Sequence, residues 1–376
     1  MLDGLPGPRE RGRVARRLHA LLPVAALASV LAVGCSEDAS PAPSGSQEEP
    51  SAVLEMGAWH ELVALPGGVV LVNGYPEGDP DPGPLELWRR EGDGDAWARV
   101  PVSGERPSGR NFAGVAHDPR SGRLVLYGGL TSEGASDETW LWDGTRWTRA
   151  AQNQGQTQVQ NQDQTQDQTQ DQGAGPGPRS SPGMAVDEAS GFTLLYGGDD
   201  GSEQYADTWA FDGSTWQQVA RQGPHPMRWP ALMESDPSGG VVLYGGHQVV
   251  DEDGPIGLGD TWVWRGGRWQ AVPDADRPGS LVNANGVVHP AHGLLLVGGG
   301  DNRGRERGRV WRWTGSGWEA MRSGLVPERQ AFGLAYDADR DVVVLTGGLV
   351  EPGSTDRHQD TWEWSGDPGT PAEQVG

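Results

Sequence analysis

The sequence predicts an all-β fold, a six-bladed β-propeller with four-stranded antiparallel blades, on three observations. One pattern recurs six times along 376 residues. Each copy contains an apolar run, and in five of the six it ends in Gly-Gly. Each run is followed by a Trp-rich segment whose rings fall two residues apart, the period of a strand.

The copies fall in order. The first is degenerate: VVLVNG (69–74), then Leu87-Trp88 and Trp97. LVLYGG (124–129) precedes TWLWDGTRW (139–147), and TLLYGG (193–198) precedes DTWAFDGSTW (207–216). VVLYGG (241–246) precedes DTWVWRGGRW (260–269), and LLLVGG (294–299) precedes VWRWTGSGW (310–318). VVLTGG (343–348) precedes DTWEW (360–364), where the copy stops without its last Trp strand. The first glycines of successive pairs lie 69, 48, 53 and 49 residues apart, and the long interval holds a Gln-rich insert of 21 residues, 152–172.

Each part has a physical reading. The run before Gly-Gly is apolar throughout, as expected of a strand buried on both faces. Gly-Gly permits positive φ where that strand ends. The rings of Trp-x-Trp share a face and are expected to pack against a neighbouring blade. Asp-Gly, Gly-Gly and Ser-Gly pairs then mark hairpin turns. Upstream, segments such as 112–123 supply the innermost strand, with Asp118, Asp187, Asp236 and Asp337 opening its turn. Fifteen of the seventeen Trp lie on the two outer strands of this pattern, so they read as core and not as a sugar-stacking surface. Closing a ring removes sheet edges, so some segment must complete the sixth blade; Val53–Met56 is the candidate.

The diglycine and the downstream Trp make residues 55–365 similar to the kelch repeat family, whose superfamily includes the central domain of galactose oxidase. The resemblance implies a propeller whose ligands meet the face formed by the loops joining second to third strands and blade to blade. The oxidase's chemistry is not implied. It needs a cysteine-linked tyrosine and copper, and the one Cys here lies in the N-terminal segment; the His residues show no ligand spacing.

That segment has its own logic. Arg9, Arg11, Arg13, Arg16 and Arg17 precede a mostly apolar stretch, Leu18 to Val33, interrupted by Pro23. Leu31-Ala32-Val33-Gly34-Cys35 resembles a bacterial lipoprotein signal, with Ala32 where Leu is usual. The resemblance implies cleavage after residue 34 and lipid on Cys35; an ordinary secretory signal is the other reading. A lone thiol in an exported chain favours lipidation. The expected organisation is a signal peptide (1–34), a disordered tether (35–52), the propeller (53–366) with its disordered Gln-rich insert (152–172), and a disordered tail (367–376).

The net charge is −23, and near −26 without the basic leader. A body so acidic repels phosphate backbones, so nucleic acid is excluded as a partner. Membrane attachment is expected through the lipid alone, on the extracytoplasmic side of a bacterial membrane, and the chain is expected to be a monomer without cofactors.

One recurrence bears on binding. Arg110, Arg179, Arg228 and Arg329 each lie eight residues before their turn Asp; copy five has Leu281 there, with Arg277 four residues earlier. Equal register in a cyclic fold makes a ring. Guanidiniums around a channel mouth would bind a carboxylate, such as a uronate, a sialic acid or an acidic peptide, by forked hydrogen bonds. Alternatively, each Arg ties blades together through loop carbonyls or an acidic neighbour. Loop acids Asp199-Asp200 and 251–253 could hold Ca²⁺ or be simply solvated. The sequence thus points to an envelope lipoprotein whose propeller is a non-catalytic binding module for a glycan or protein partner. The family resemblance leaves an alternative, an envelope enzyme of the sialic-acid mutarotase kind.

Overall fold

A computed structural model describes residues 54, 60–73, 83–90, 96–151, 175–224, 228, 232–249, 255–273, 278–281, 283–300, 309–350 and 356–375. Among the described residues six sheets of four antiparallel strands are each built from one continuous stretch of chain in the order inner to outer. Two short hairpins, Leu130–Thr131 with Gly134–Ala135 and His247–Val249 with Pro255–Gly257, accompany them. Blade 1 comprises Glu61–Leu65, Gly68–Asn73, Glu86–Arg90 and Trp97–Arg99. Blade 2 comprises Gly114–Asp118, Arg123–Tyr127, Thr139–Trp142 and Trp147–Arg149. Blade 3 comprises Gly183–Asp187, Phe192–Tyr196, Thr208–Phe211 and Trp216–Ala220. Blade 4 comprises Leu232–Ser235, Val241–Tyr244, Thr261–Arg265 and Arg268–Ala271. Blade 5 comprises Asn285–His289, Gly293–Val297, Val310–Trp313 and Trp318–Ala320. Blade 6 comprises Gly333–Asp337, Val342–Thr346, Thr361–Trp364 and Glu373–Gln374.

The inner strands touch in cyclic order, and that of blade 6 packs on that of blade 1, so the ring closes as a six-bladed β-propeller. The apolar runs before Gly-Gly are the second strands, and Val69–Leu71 and Leu124–Leu126 are fully buried. Blade-to-blade apolar clusters fill the seams. Leu87 of blade 1, for example, meets Trp140, Trp142 and Trp147 of blade 2, and Leu62 and Trp88 of blade 1 meet Ala335 and Val344 of blade 6. The Trp rings therefore lie in the seams, as their period implied.

The seams also carry directed bonds. Trp216 Nε1 of blade 3 donates to Thr139 Oγ1 of blade 2 (2.9 Å), and its ring meets Tyr127 edge-on at 5.1 Å. Trp269 repeats this on Thr208 and Tyr196, and Trp318 on Thr261 and Tyr244. Blade 1 carries Leu87 in place of that Thr, and Trp147 Nε1 of blade 2 is then left without an acceptor. Diglycine is required sterically: Gly128 has φ of 67°, and a Cβ there would sit 2.4 Å from the Arg179 carbonyl oxygen of the next blade. The inner-strand Asp residues open their turns as expected, Asp187 and Asp236 accepting backbone N–H bonds two residues on.

One expectation is overturned at the sixth blade. Its fourth strand is C-terminal, Glu373–Gln374, paired with Trp362 and Glu363, and not Val53–Met56. The segment 367–376 is thus not a disordered tail over its described part. Asp367 caps the reversal by accepting from Gly369 N and Thr370 Oγ1, and Trp364 Nε1 donates to the Thr370 carbonyl. Val375 N then bonds the Thr361 carbonyl at 2.8 Å. Of 53–56 only Leu54 is described, packed at the seam of blades 6 and 1. The Gln-rich insert and the leader lie outside the described residues. No helix among the described residues is long and apolar enough to cross a membrane.

Candidate functional site

The four register-matched arginines are buried, each at most 2 % exposed, and each binds within its own blade. Arg110 Nη1 donates to the Gly128 carbonyl (3.0 Å), and Nη2 to Glu138 Oε2 (2.8 Å). Arg179 donates to the Gly197 carbonyl (3.0 Å) and Asp207 Oδ1 (2.8 Å). Arg228 takes the Gly245 carbonyl (3.0 Å) and both oxygens of Asp260 (2.6 and 2.9 Å). Arg329 takes the Gly347 carbonyl (2.9 Å) and both oxygens of Asp360 (2.8 and 3.2 Å). The same carboxylate accepts the Trp indole N–H two residues on, as Asp260 does from Trp262 at 2.6 Å and Glu138 from Trp140 at 3.0 Å. The Arg backbone reaches the preceding blade, where Gly129 N donates to the Arg179 carbonyl and Gly299 N to that of Arg329.

Burial opposes ionisation of Asp260 and Asp360, but the bonds from arginine and indole outweigh it and hold both below the ordinary carboxylate range. These guanidiniums bond loop carbonyls and an acidic neighbour inside one blade, tying the diglycine strand end to the Trp strand, whereas the tie between blades runs through the Arg backbone. Arg277 and Cys35 lie outside the described residues.

The open space is axial. A channel of about 460 Å³ runs among the inner strands of all six blades. Most of its wall is small or apolar. Gly114, Gly183 and Gly333 occupy the first inner-strand position, and Ala116, Ala185 and Ala335 the third. Blades 1, 4 and 5 depart from that pattern, blade 5 with Asn285 and Val287. By pairing register Glu61 of blade 1 stands at the first position and Glu234 of blade 4 at the third. Blades 1 and 4 are opposite in a ring of six, so the two carboxyls come from opposite walls. Gly286 of blade 5 makes room for the second: a Cβ there would lie 3.1 Å from Glu234 Cγ.

Glu61 is exposed to the channel and Glu234 is half-buried along it, both ringed by the inner strands. Enclosure pushes Glu61 up to about 7. It pushes Glu234 up to about 8, the backbone N–H of Ser235 opposing and the charge of Glu61 adding to the rise. Neither makes a side-chain bond or ion pair with another described residue. His60 also lines the channel but bonds the Thr346 carbonyl, and burial holds His117 below its ordinary value in spite of Asp118. In the loop above, Asp200 accepts from Ser202, Glu203 and Tyr205, so its oxygens serve the turn. Among the described residues no group of three or more His, Cys, Asp or Glu could hold a metal ion.

Glu61 and Glu234 were not among the residues the sequence singled out. The signal was present: aligned by the second strand, they are carboxylates where no other copy carries a charge. No protein-family model matches the chain, and no curated protein is significantly similar to it.

Proposed function

We propose that this chain is a kelch-type propeller lipoprotein of a bacterial cell envelope, lipid-anchored through Cys35, that binds a glycan or protein partner without catalysis. One observation carries the binding reading: two carboxyls with no ion-pair partner among the described residues stand in an axial channel. A spacer has no use for them, because two carboxyls facing one channel without a counter-charge repel each other, and such groups cluster where ligands bind. The blade clamps make the channel a rigid frame, which lowers the entropy lost on binding. The mutarotase-like alternative loses its guanidiniums to those clamps. Intrinsic Trp fluorescence can follow melting of the full-length protein in detergent against glycans and envelope proteins. The reading expects a raised Tm with at least one ligand class, and no response from any would leave a spacer. For the anchor, radiolabelled palmitate should mark the wild type in a bacterial host and not Cys35→Ala; equal labelling would place the lipid elsewhere.

A further inference from the structure

Resting on the binding reading, we propose that the axial channel takes an organic cation, a primary ammonium group on an unbranched apolar stem, held by the carboxylates of Glu61 and Glu234. The chemistry follows from what the wall offers. Ionised carboxylates only accept hydrogen bonds, and an ammonium only donates them, three at a time. No cation of the protein occupies that role for either Glu. The lining also offers apolar side chains, Val63, Met184, Met233 and Val287 among them, beside polar ones such as Ser235 and Asn285. The apolar side chains suit methylene groups and do not suit a hydrated ion.

A divalent metal fits less well. Calcium takes six to eight oxygens and magnesium a strict octahedron, whereas this channel presents two side-chain carboxyls from opposite walls. The field of the whole molecule points the same way. With 52 acidic residues against 29 basic, the surface concentrates cations and repels anions. Within the channel the other titratable groups are His60, His117, Glu188 and Tyr336. His60 is engaged by a carbonyl and burial disfavours a charge on His117, so neither competes for the carboxylates.

Binding is coupled to protons. An amine keeps its proton up to about pH 10, whereas the two carboxyls must give theirs up to hold it. Affinity therefore rises with pH through the neutral range, with proton release.

Isothermal titration of the full-length protein in detergent with 1,5-diaminopentane tests this. 1-Pentanol serves as the uncharged control, calcium chloride as the metal arm, and a lysine-containing peptide against its Lys→norleucine form as the protein-borne source of the same group. Diaminopentane should bind at pH 8.5, at least about tenfold more weakly at pH 6, and at least about tenfold more weakly to Glu61→Gln and to Glu234→Gln. Pentanol should not bind. Both variants should melt no lower than wild type, since each loses an uncompensated acid. Diaminopentane binding that ignores both substitutions overturns the proposal, and so does calcium binding without amine binding. If neither diaminopentane nor the lysine peptide binds while a glycan or protein raises Tm, this inference falls and the binding reading survives; if nothing binds, both fall.

Discussion

Blades 2, 3, 4 and 6 differ from blade 5 at two places at once. In the four, an Arg before the inner strand is clamped on a carboxylate before the Trp strand. In blade 5 the Arg is replaced by Leu281, and the carboxylate by Arg309, whose guanidinium lies 5.7 Å from the centre of the Trp311 ring. Leu281 joins Val242, Tyr244 and Val263 in the seam with blade 4. Trp311 Nε1, deprived of its carboxylate, has no acceptor. An Arg kept at 281 would be buried opposite another cation, whereas blade 1, with Gly57 at the Arg register, keeps its carboxylate, Glu86, on Trp88 and Arg99. The comparison teaches that the arginine register is a two-residue structural device, and that a well-packed apolar residue replaces it.

The 5–6 seam adapts further. Val310 stands where blades 2, 3, 4 and 6 carry Thr, and Asn285 Nδ2 reaches the Phe332 carbonyl of blade 6 at 3.0 Å. An apolar cluster including Leu295, Val297, Phe332, Leu345 and Trp364 fills this seam.

Breaking one half of a clamp has the largest expected effect. Arg228→Leu leaves Asp260 without its guanidinium and should lower stability by about 3 kcal/mol, read as a shift in urea midpoint. Arg228→Leu with Asp260→Asn copies the logic of blade 5 and should recover at least half of that loss; no recovery would refute the pairing. The reverse graft, Leu281→Arg, sets two guanidiniums together and should also lower stability by about 3 kcal/mol. Adding Arg309→Asp should rescue it.

Smaller effects sharpen the contrast between seams. Thr208→Val removes the acceptor of Trp269 Nε1 and should destabilise by about 1 kcal/mol, whereas Val310→Thr, where no Trp waits, should change stability by less than about 0.5 kcal/mol.

The pH dependence separates clamps from channel. Asp260 and Asp360 have folded values below the unfolded ones. Their contribution is complete above the ordinary carboxylate value and is lost as pH falls through their folded values. Glu61 and Glu234 behave oppositely: with folded values raised to about 7 and about 8, the native state binds more protons than the unfolded chain between about 4.5 and 8. Stability should fall as pH rises across that window, and Glu61→Gln with Glu234→Gln should flatten the fall. An unchanged slope in the double variant would mean that the two groups titrate normally.

Much of the fold was legible because repetition multiplies weak signals. One diglycine is a turn, whereas five in phase, with Trp-x-Trp or Trp-x-Phe after each, are blades. The fourth strand of blade 6 was not legible, because Glu373–Gln374 carries no apolar side chain and is held by backbone bonds to Trp362, Glu363 and Thr361. Both halves of the clamp recurred visibly, Arg before the inner strand and Asp or Glu before Thr-Trp. That they touch could be inferred only from their joint loss at Leu281 and Arg309. The channel glutamates were passed over for the opposite reason. Recurring residues hold the ring together, whereas Glu61 and Glu234 are exceptions to the repeat, and the exceptions stand where a ligand can reach.

The central claim is that two unpartnered carboxyls face the axis of a ring whose arginines are engaged elsewhere. Carbon-detected NMR titration of protein labelled with ¹³C at the glutamate carboxyls tests it most directly. Two resonances should titrate near pH 7 and 8, one vanishing in Glu61→Gln and the other in Glu234→Gln. If every glutamate titrates below pH 5, the axis holds no such pair and the proposed site is not there.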